Sequence, residues 1–173
     1  SKVPNYSSQT MKTEPDINEL KMVLEYNPES GIFIWKQNRG GSALVGAVAG
    51  ATNFRGYRSV FRLGVHLLLH RVAWAFVYGN WPQGHIDHVN QVKTDNRISN
   101  LRIATQRQNA CNRGKSKNNT SGYKGVYIYG KKFTARINVR RKCVHLGYFA
   151  DAQSASEAYV NAAKKYHGEF WSK

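Results

Sequence analysis

The segment GHIDHVNQVKTDNRISNLRIATQRQN, residues 84–109, gathers two histidines, two aspartates and four asparagines around a few short apolar residues. Asn, Asp and Gly ordinarily mark turns, so a loop is one reading of it. A site that performs hydrolysis is the other. Phosphodiester hydrolysis needs a base to take a proton from water and a cation to hold oxygens on which charge builds. Histidine is the side chain whose ordinary pKa suits it to act as a base near neutral pH, and His88 stands near the start of the segment. Mg²⁺ takes oxygen ligands, often one carboxylate with carbonyl-type oxygens, which Asp87 and the Asn109 amide could provide. Asp87 and His88 are adjacent, so on a strand they point to opposite faces, and both serve one substrate only where the strand twists or ends.

The elements that must position these residues can be read on either side. Asp16 opens a helical run, INELKMVLEY, with apolar residues at Ile17, Leu20, Val23 and Leu24. GIFIWK and YRSVFRL read as short strands around a Gly-rich loop. LLLHRVAWAFVYG reads as a buried element ending in a helix that stops at Gly79 and Pro82. Residues 16–82 thus form a mixed α/β piece. After the Asn-rich segment, NRGKSKNNTSG (112–122) has no apolar residue and is either a solvated tether or a strand laid along phosphates. GYKGVYIY, KFTARINV and CVHLGYF are then three strand-like runs, with turns at Gly130-Lys131 and Arg140–Lys142. DAQSASEAYVNAAKKYHG is one helix capped by Asp151, with Lys164 and Lys165 near its C-terminal end. Ala155, Tyr159, Ala162 and Tyr166 share one face of it, and Leu146, Gly147, Phe149 and Ala158 are further core candidates.

The 173 residues carry 26 Lys and Arg against 10 Asp and Glu, a net charge of +16. Nucleic acid is the partner such a charge suits, with an acidic membrane surface as the rival. No apolar run approaches the roughly 20 residues of a membrane span. The longest, Val65–Tyr78, is interrupted by His66, His70 and Arg71. The polar N-terminus shows no signal peptide; residues 1–10 are either native or a stretch appended ahead of a start at Met11. Cys111 and Cys143 make no C-x-x-C pair, which speaks against a structural zinc and fits a reduced, cytoplasmic setting. Residues 113–173 hold 13 Lys and Arg against 3 Asp and Glu, so the smaller part is the more basic and is expected to grip the nucleic acid.

HIDHVNQVKTDNRISNLRIATQRQN resembles the HNH endonucleases, in particular their phage and intron-homing branch. The resemblance implies a ββα-metal finger in which His88 is the general base and Asp87 and Asn109 hold one divalent cation. It implies that Asn100 orients the loop carrying the base. Gln91-Val92 stands where a Gly-Asp or Gly-Asn pair often follows the first Asn, a loop change away from these positions. The third position is Asn where His also occurs. The His70-Arg71 pair also resembles the family, and either touches the scissile phosphate or packs a helix N-terminus against the finger.

The last 50 or so residues, with Y-x-G-V, A-x-I, L-G-x-F and A-Y…A-A signatures, resemble the Apetala-type DNA-binding domain. The matching contact positions are Lys124, Tyr127, Tyr129, Arg136, Asn138, Cys143 and His145. Tyr127, Tyr129, Cys143 and His145 depart from that family's Arg- and Trp-rich pattern, so its target sequence does not carry over. The bland alternative is a merely solubilising sheet face. Alternation puts Lys124, Val126 and Ile128 on one face of the first strand, and turns Arg136 and Asn138 outward on the second.

Together these readings give an α+β chain: an HNH nuclease domain over 12–112, a basic linker over 113–121 and an Apetala-type domain over 122–173. The expected activity is site-specific, homing-type cleavage of double-stranded DNA with Mg²⁺ or Mn²⁺, without membrane or small-molecule partners. It is expected in the cytoplasm, that of a host cell if phage-encoded. One finger holds one metal site, so a monomer should nick and a duplex break needs a dimer or two events; the chain is expected as a monomer or weak dimer that nicks or cuts both strands. The alternative is a non-catalytic, sequence-specific DNA-binding regulator.

Overall fold

The computed structural model describes residues 14–41, 43–62, 64–116 and 118–171. The expected start at Met11 and Lys117 of the expected linker lie outside the described residues. Contacts divide the described residues into two units, one running to residue 83 and including 93–99, the other of 84–92 and from 100 onward.

In the first unit α1 (Ile17–Val23) begins where the Asp16 carboxylate accepts from the Asn18 N–H at 2.8 Å, satisfying one free donor of the first turn. Leu20 and Val23 are its buried face. β1 (Leu24–Asn27) and β2 (Ile32–Trp35) form an antiparallel hairpin. β3 (Ala51–Thr52), β4 (Arg58–Arg62) and β5 (Val65–Leu68) form an antiparallel sheet in that order. β5 runs directly into α2 (Leu69–Tyr78), the buried helix expected from LLLHRVAWAFVYG. Phe33 anchors the core, stacked on Tyr26 at 4.5 Å and meeting Phe76 edge-on at 5.8 Å. Tyr26 donates to the Asn96 carbonyl at 2.7 Å, which ties residues 93–99 to this unit.

The second unit begins with β6 (His85–His88), paired antiparallel with β7 (Leu101–Ala104), and continues into α3 (Gln106–Cys111). α3 opens on a capping box in which Thr105 and Gln108 satisfy each other's free N–H groups. β8 (Val126–Tyr129), β9 (Lys132–Val139) and β10 (Lys142–Phe149) form an antiparallel sheet with β9 central. α4 (Ala152–His167) packs on it, and a 3₁₀ turn (Gly168–Phe170) follows. Asp151 caps α4 by accepting from the Ser154 N–H at 2.7 Å. Ala135 and Ile137 meet Ala155, Tyr159, Ala162 and Ala163, the alanines letting helix and sheet approach closely. Tyr166, expected on that face, is exposed, and Ala163 fills the core instead.

Two glycines shape this module. Gly125 has φ +73°, and a Cβ there would lie 2.1 Å from the Tyr159 ring, so only glycine fits. The first strand therefore starts at Val126, later than the GYKGVYIY run suggests. Gly147 has φ +130° and follows a β-bulge between His145 and Gly147. The extra residue reverses the alternation of β10.

Candidate active site and nucleic-acid face

β6 and β7 set Asp87 directly opposite Arg102 and His88 opposite Leu101. Asp87 and His88 are both buried, at 3% and 5% exposure. The strand ends at His88, and Asn100 fixes the turn beyond it. The Asn100 carbonyl accepts from the Val89 N–H and its side-chain Oδ1 from the Asn90 N–H, each at 2.9 Å. One asparagine thus holds two consecutive amides immediately after His88, which sets the backbone that carries the imidazole.

The Asp87 carboxylate has a defined set of donors. Arg102 donates to Oδ2 through Nε at 2.9 Å and a terminal nitrogen at 2.7 Å. Asn112, the C-cap of α3, donates its Nδ2 hydrogens to Oδ1 and Oδ2 at 3.0 Å each and to the His88 carbonyl at 2.8 Å. Among the described residues Oδ1 thus accepts from Asn112, and Oδ2 from both Arg102 and Asn112. Asn109 lies one helical turn before Asn112, on the same side of α3, half-buried. A carboxylate oxygen and an amide oxygen are the hard donors a Mg²⁺-like ion takes, so the residues present fit such an ion. Among the described residues no three His, Cys, Asp or Glu side chains converge on a metal site.

Arg102 is itself held. Its guanidinium lies 4.3 Å from the Phe170 ring and donates to the Glu169 carbonyl, so the last 3₁₀ turn reaches the hairpin. A second polar cluster fixes the far end of α3. Lys124 donates to the Cys111 carbonyl at 2.7 Å, and the Cys111 thiol lies 3.5 Å from His167 Nδ1. Burial pushes the Cys111 thiol up and the Lys124 ammonium down; burial and then Lys124 lower His167.

Arg102 and Asn112 are not among the site residues the sequence suggests. Arg102 becomes legible only once the β6–β7 register is known. Asn112 had a signal, a second Asn three positions after Asn109. His70 is buried on α2 beside Tyr57, and Arg71 pairs with Glu14 at 2.7 Å and with the Pro82 carbonyl, so both are engaged within the first unit.

Of the expected DNA-contacting residues, Tyr127, Tyr129, Arg136, Asn138, Cys143 and His145 are exposed on the β8–β9–β10 sheet. Lys124 is apart from them, half-buried with its amine on Cys111. It lines a groove of about 850 Å³ with Arg107, Lys115, Arg136, Arg141 and His167, a lining that includes no carboxylate. The groove joins α3, the helix of Asn109, to strands β8 and β9.

Residues 67–111 match a family model described as HNH endonuclease. The match takes in Asp87, His88, Asn100 and Asn109, and makes the chain a nuclease whose substrate is nucleic acid. No curated protein and no solved structure matches the chain. Among the described residues no helix is long and apolar enough to cross a membrane.

Proposed function

We propose that this HNH endonuclease is a site-specific, homing-type enzyme of the phage branch that hydrolyses phosphodiester bonds in double-stranded DNA. The observation that carries the reading is the seating of His88: at a strand end, its following amides pinned by Asn100, its carbonyl and the neighbouring carboxylate pinned by Asn112. In this reading β6, β7 and α3 are the metal finger. His88 is the general base that takes the proton from the attacking water. Asp87 and Asn109 would hold a single Mg²⁺ or Mn²⁺, which when bound stabilises charge on the phosphate and leaving oxygens. Arg102 and Asn112 keep the Asp87 carboxylate in one orientation. The acid-free groove and the exposed sheet face, with Tyr127, Tyr129, Arg136, Asn138 and His145, bind the DNA, and Lys124 acts from the groove.

The test is conversion of supercoiled plasmid, with and without Mg²⁺ or Mn²⁺, by the parent, His88→Ala and Asn109→Ala. The parent should cut only with the ion. Loss of the base should cost about 10²–10⁴ in rate while leaving DNA affinity nearly intact. A His88→Ala protein cutting within a few-fold of the parent would refute the assignment. A parent that binds but never cuts would leave the regulator reading standing.

A further inference from the structure

The outer face of the β8–β9–β10 sheet carries more aromatic surface than the contact residues alone suggest. Thr134 lies on that face, between its cross-strand partners Tyr127 on β8 and Tyr148 on β10. Thr134 is nevertheless only 1% exposed, while Tyr127, Tyr129 and Tyr148 are 53%, 59% and 54% exposed. A residue on an outward face is covered only if its neighbours' side chains lie across it. Tyr127, Tyr148 and the hydrogen-bonded His145 therefore lean over Thr134, while about half of each tyrosine stays in solvent. Tyr129 and Tyr148 are 5.1 Å apart between ring centres, and His145 lies 4.7 Å from Tyr148 while sharing a hydrogen bond with Thr134 at 2.9 Å. The Arg136 guanidinium sits 5.8 Å from the Tyr127 ring centre. Tyr148 joins this group because the bulge at His145/Gly147 reverses the alternation of β10.

The surroundings are cationic. Residues 100–150 contain 12 Lys and Arg and no Asp or Glu. Arg140 and Arg141 occupy the β9–β10 turn with φ +49° and +66°, a region that disfavours every residue but glycine, so two guanidinium groups are held at that tip against backbone cost.

Duplex DNA offers a sheet the edges of its bases, read by hydrogen-bond donors and acceptors. An exposed aromatic ring offers a π-face, and its complement is the face of a base, reachable only where the base is unpaired. We propose that this face is a stacking platform for single-stranded DNA, with the half-exposed Tyr129 and Tyr148 rings taking bases and the surrounding Lys and Arg on the phosphates. The proposal rests on the DNA-binding reading above and narrows what this face binds: a strand opened from the duplex or left unpaired beside a cut.

The experiment uses the full chain carrying His88→Ala and measures fluorescence anisotropy of a labelled oligo(dT) of about 12 nucleotides, within the span of one such binding face. A duplex and an oligo(rU) of the same length are measured alongside. Oligo(dT) should bind and quench tyrosine emission. Tyr148→Ala and Tyr129→Ala should each weaken it about 5- to 150-fold, the loss of one stacked base. Tyr148→Phe should keep affinity within about twofold, because a ring face needs no hydroxyl. These rings are exposed, and an unchanged unfolding midpoint shows that the alanine variants are folded. Tyr148→Ala binding oligo(dT) as the parent does would overturn the platform, as would tighter binding of oligo(rU). Duplex binding without oligo(dT) binding would overturn the platform and leave the DNA-binding reading intact; binding of neither would overturn both.

Discussion

Replacing Arg102 with Met should be among the most damaging single changes to the second unit. The Arg102–Asp87 side chains are 17% and 4% exposed, so the ion pair is largely removed from water. Two of the four hydrogen bonds that reach the carboxylate come from Arg102. Methionine approximates the aliphatic stem but leaves a buried negative charge with one amide for company. Breaking such a pair from one side costs about 3–5 kcal/mol. The lost contact with the Phe170 ring adds to this but is not independent of it. For a chain of this length, that corresponds to a fall of roughly 6–20 °C in the unfolding midpoint. Urea unfolding of the parent, Arg102→Met, Asp87→Asn and the double variant closes a thermodynamic cycle. Because asparagine needs no counter-ion, the double variant should be less damaged than the sum of the singles, with a coupling of about 2 kcal/mol or more. A single variant costing under about 1 kcal/mol, or strict additivity, would show that Arg102 does not compensate the carboxylate.

Asn112→Ala should cost about 1–3 kcal/mol, because the His88 carbonyl loses a donor in a buried place. It should reduce cleavage further than that loss of fold explains, and rates compared at a temperature where both proteins are folded check it. Gly125→Ala should destabilise the sheet-and-helix module by about 2–5 kcal/mol, since it adds a clash with Tyr159 to a positive φ; a neutral result in thermal unfolding would contradict the packing. His167 is held below its ordinary 6.5 by burial and Lys124, so the folded state binds fewer protons than the unfolded chain just below that pH. Stability should therefore rise as pH climbs toward 6.5, and His167→Gln should remove that rise; an unchanged slope across a pH series would rule the residue out.

Sequence periodicity and capping residues carried much of the secondary structure. Asp16 and Asp151 mark their helices because a carboxylate at the N-cap answers a local need. The strands through Ile32–Trp35, Arg58–Arg62 and Lys132–Val139 lie inside the runs that read as strands, again a local signal. Asp87, His88 and Asn100 were visible as residue types at a spacing, and the structure brings them to one hairpin. The features that stayed hidden depend on contacts distant in sequence. Arg102 reads as one more cation in a basic chain until the register sets it opposite Asp87. Phe149 stands among the core candidates, but strict alternation along β10 would put Tyr148 inward, and the bulge turns it outward. Lys124 looked like part of an exposed strand, yet Gly125 breaks the strand before it and its amine turns to the end of α3.

The last 3₁₀ turn has a further consequence, in time. The guanidinium that holds Asp87 is itself held by the Glu169 carbonyl, 67 positions further along the chain, and by the ring of Phe170. At synthesis rates of about 5–20 residues per second, that interval lasts on the order of 3–13 s. A nascent chain that has made its hairpin and α3 still lacks the anchor of its buried cation. The groups that touch the carboxylate are all made by residue 112, whereas the outer hold on Arg102 waits until the sheet and α4 have been synthesised. The order of the chain thereby sets a delay between the making of the hairpin and the closing of the last hold on its cation.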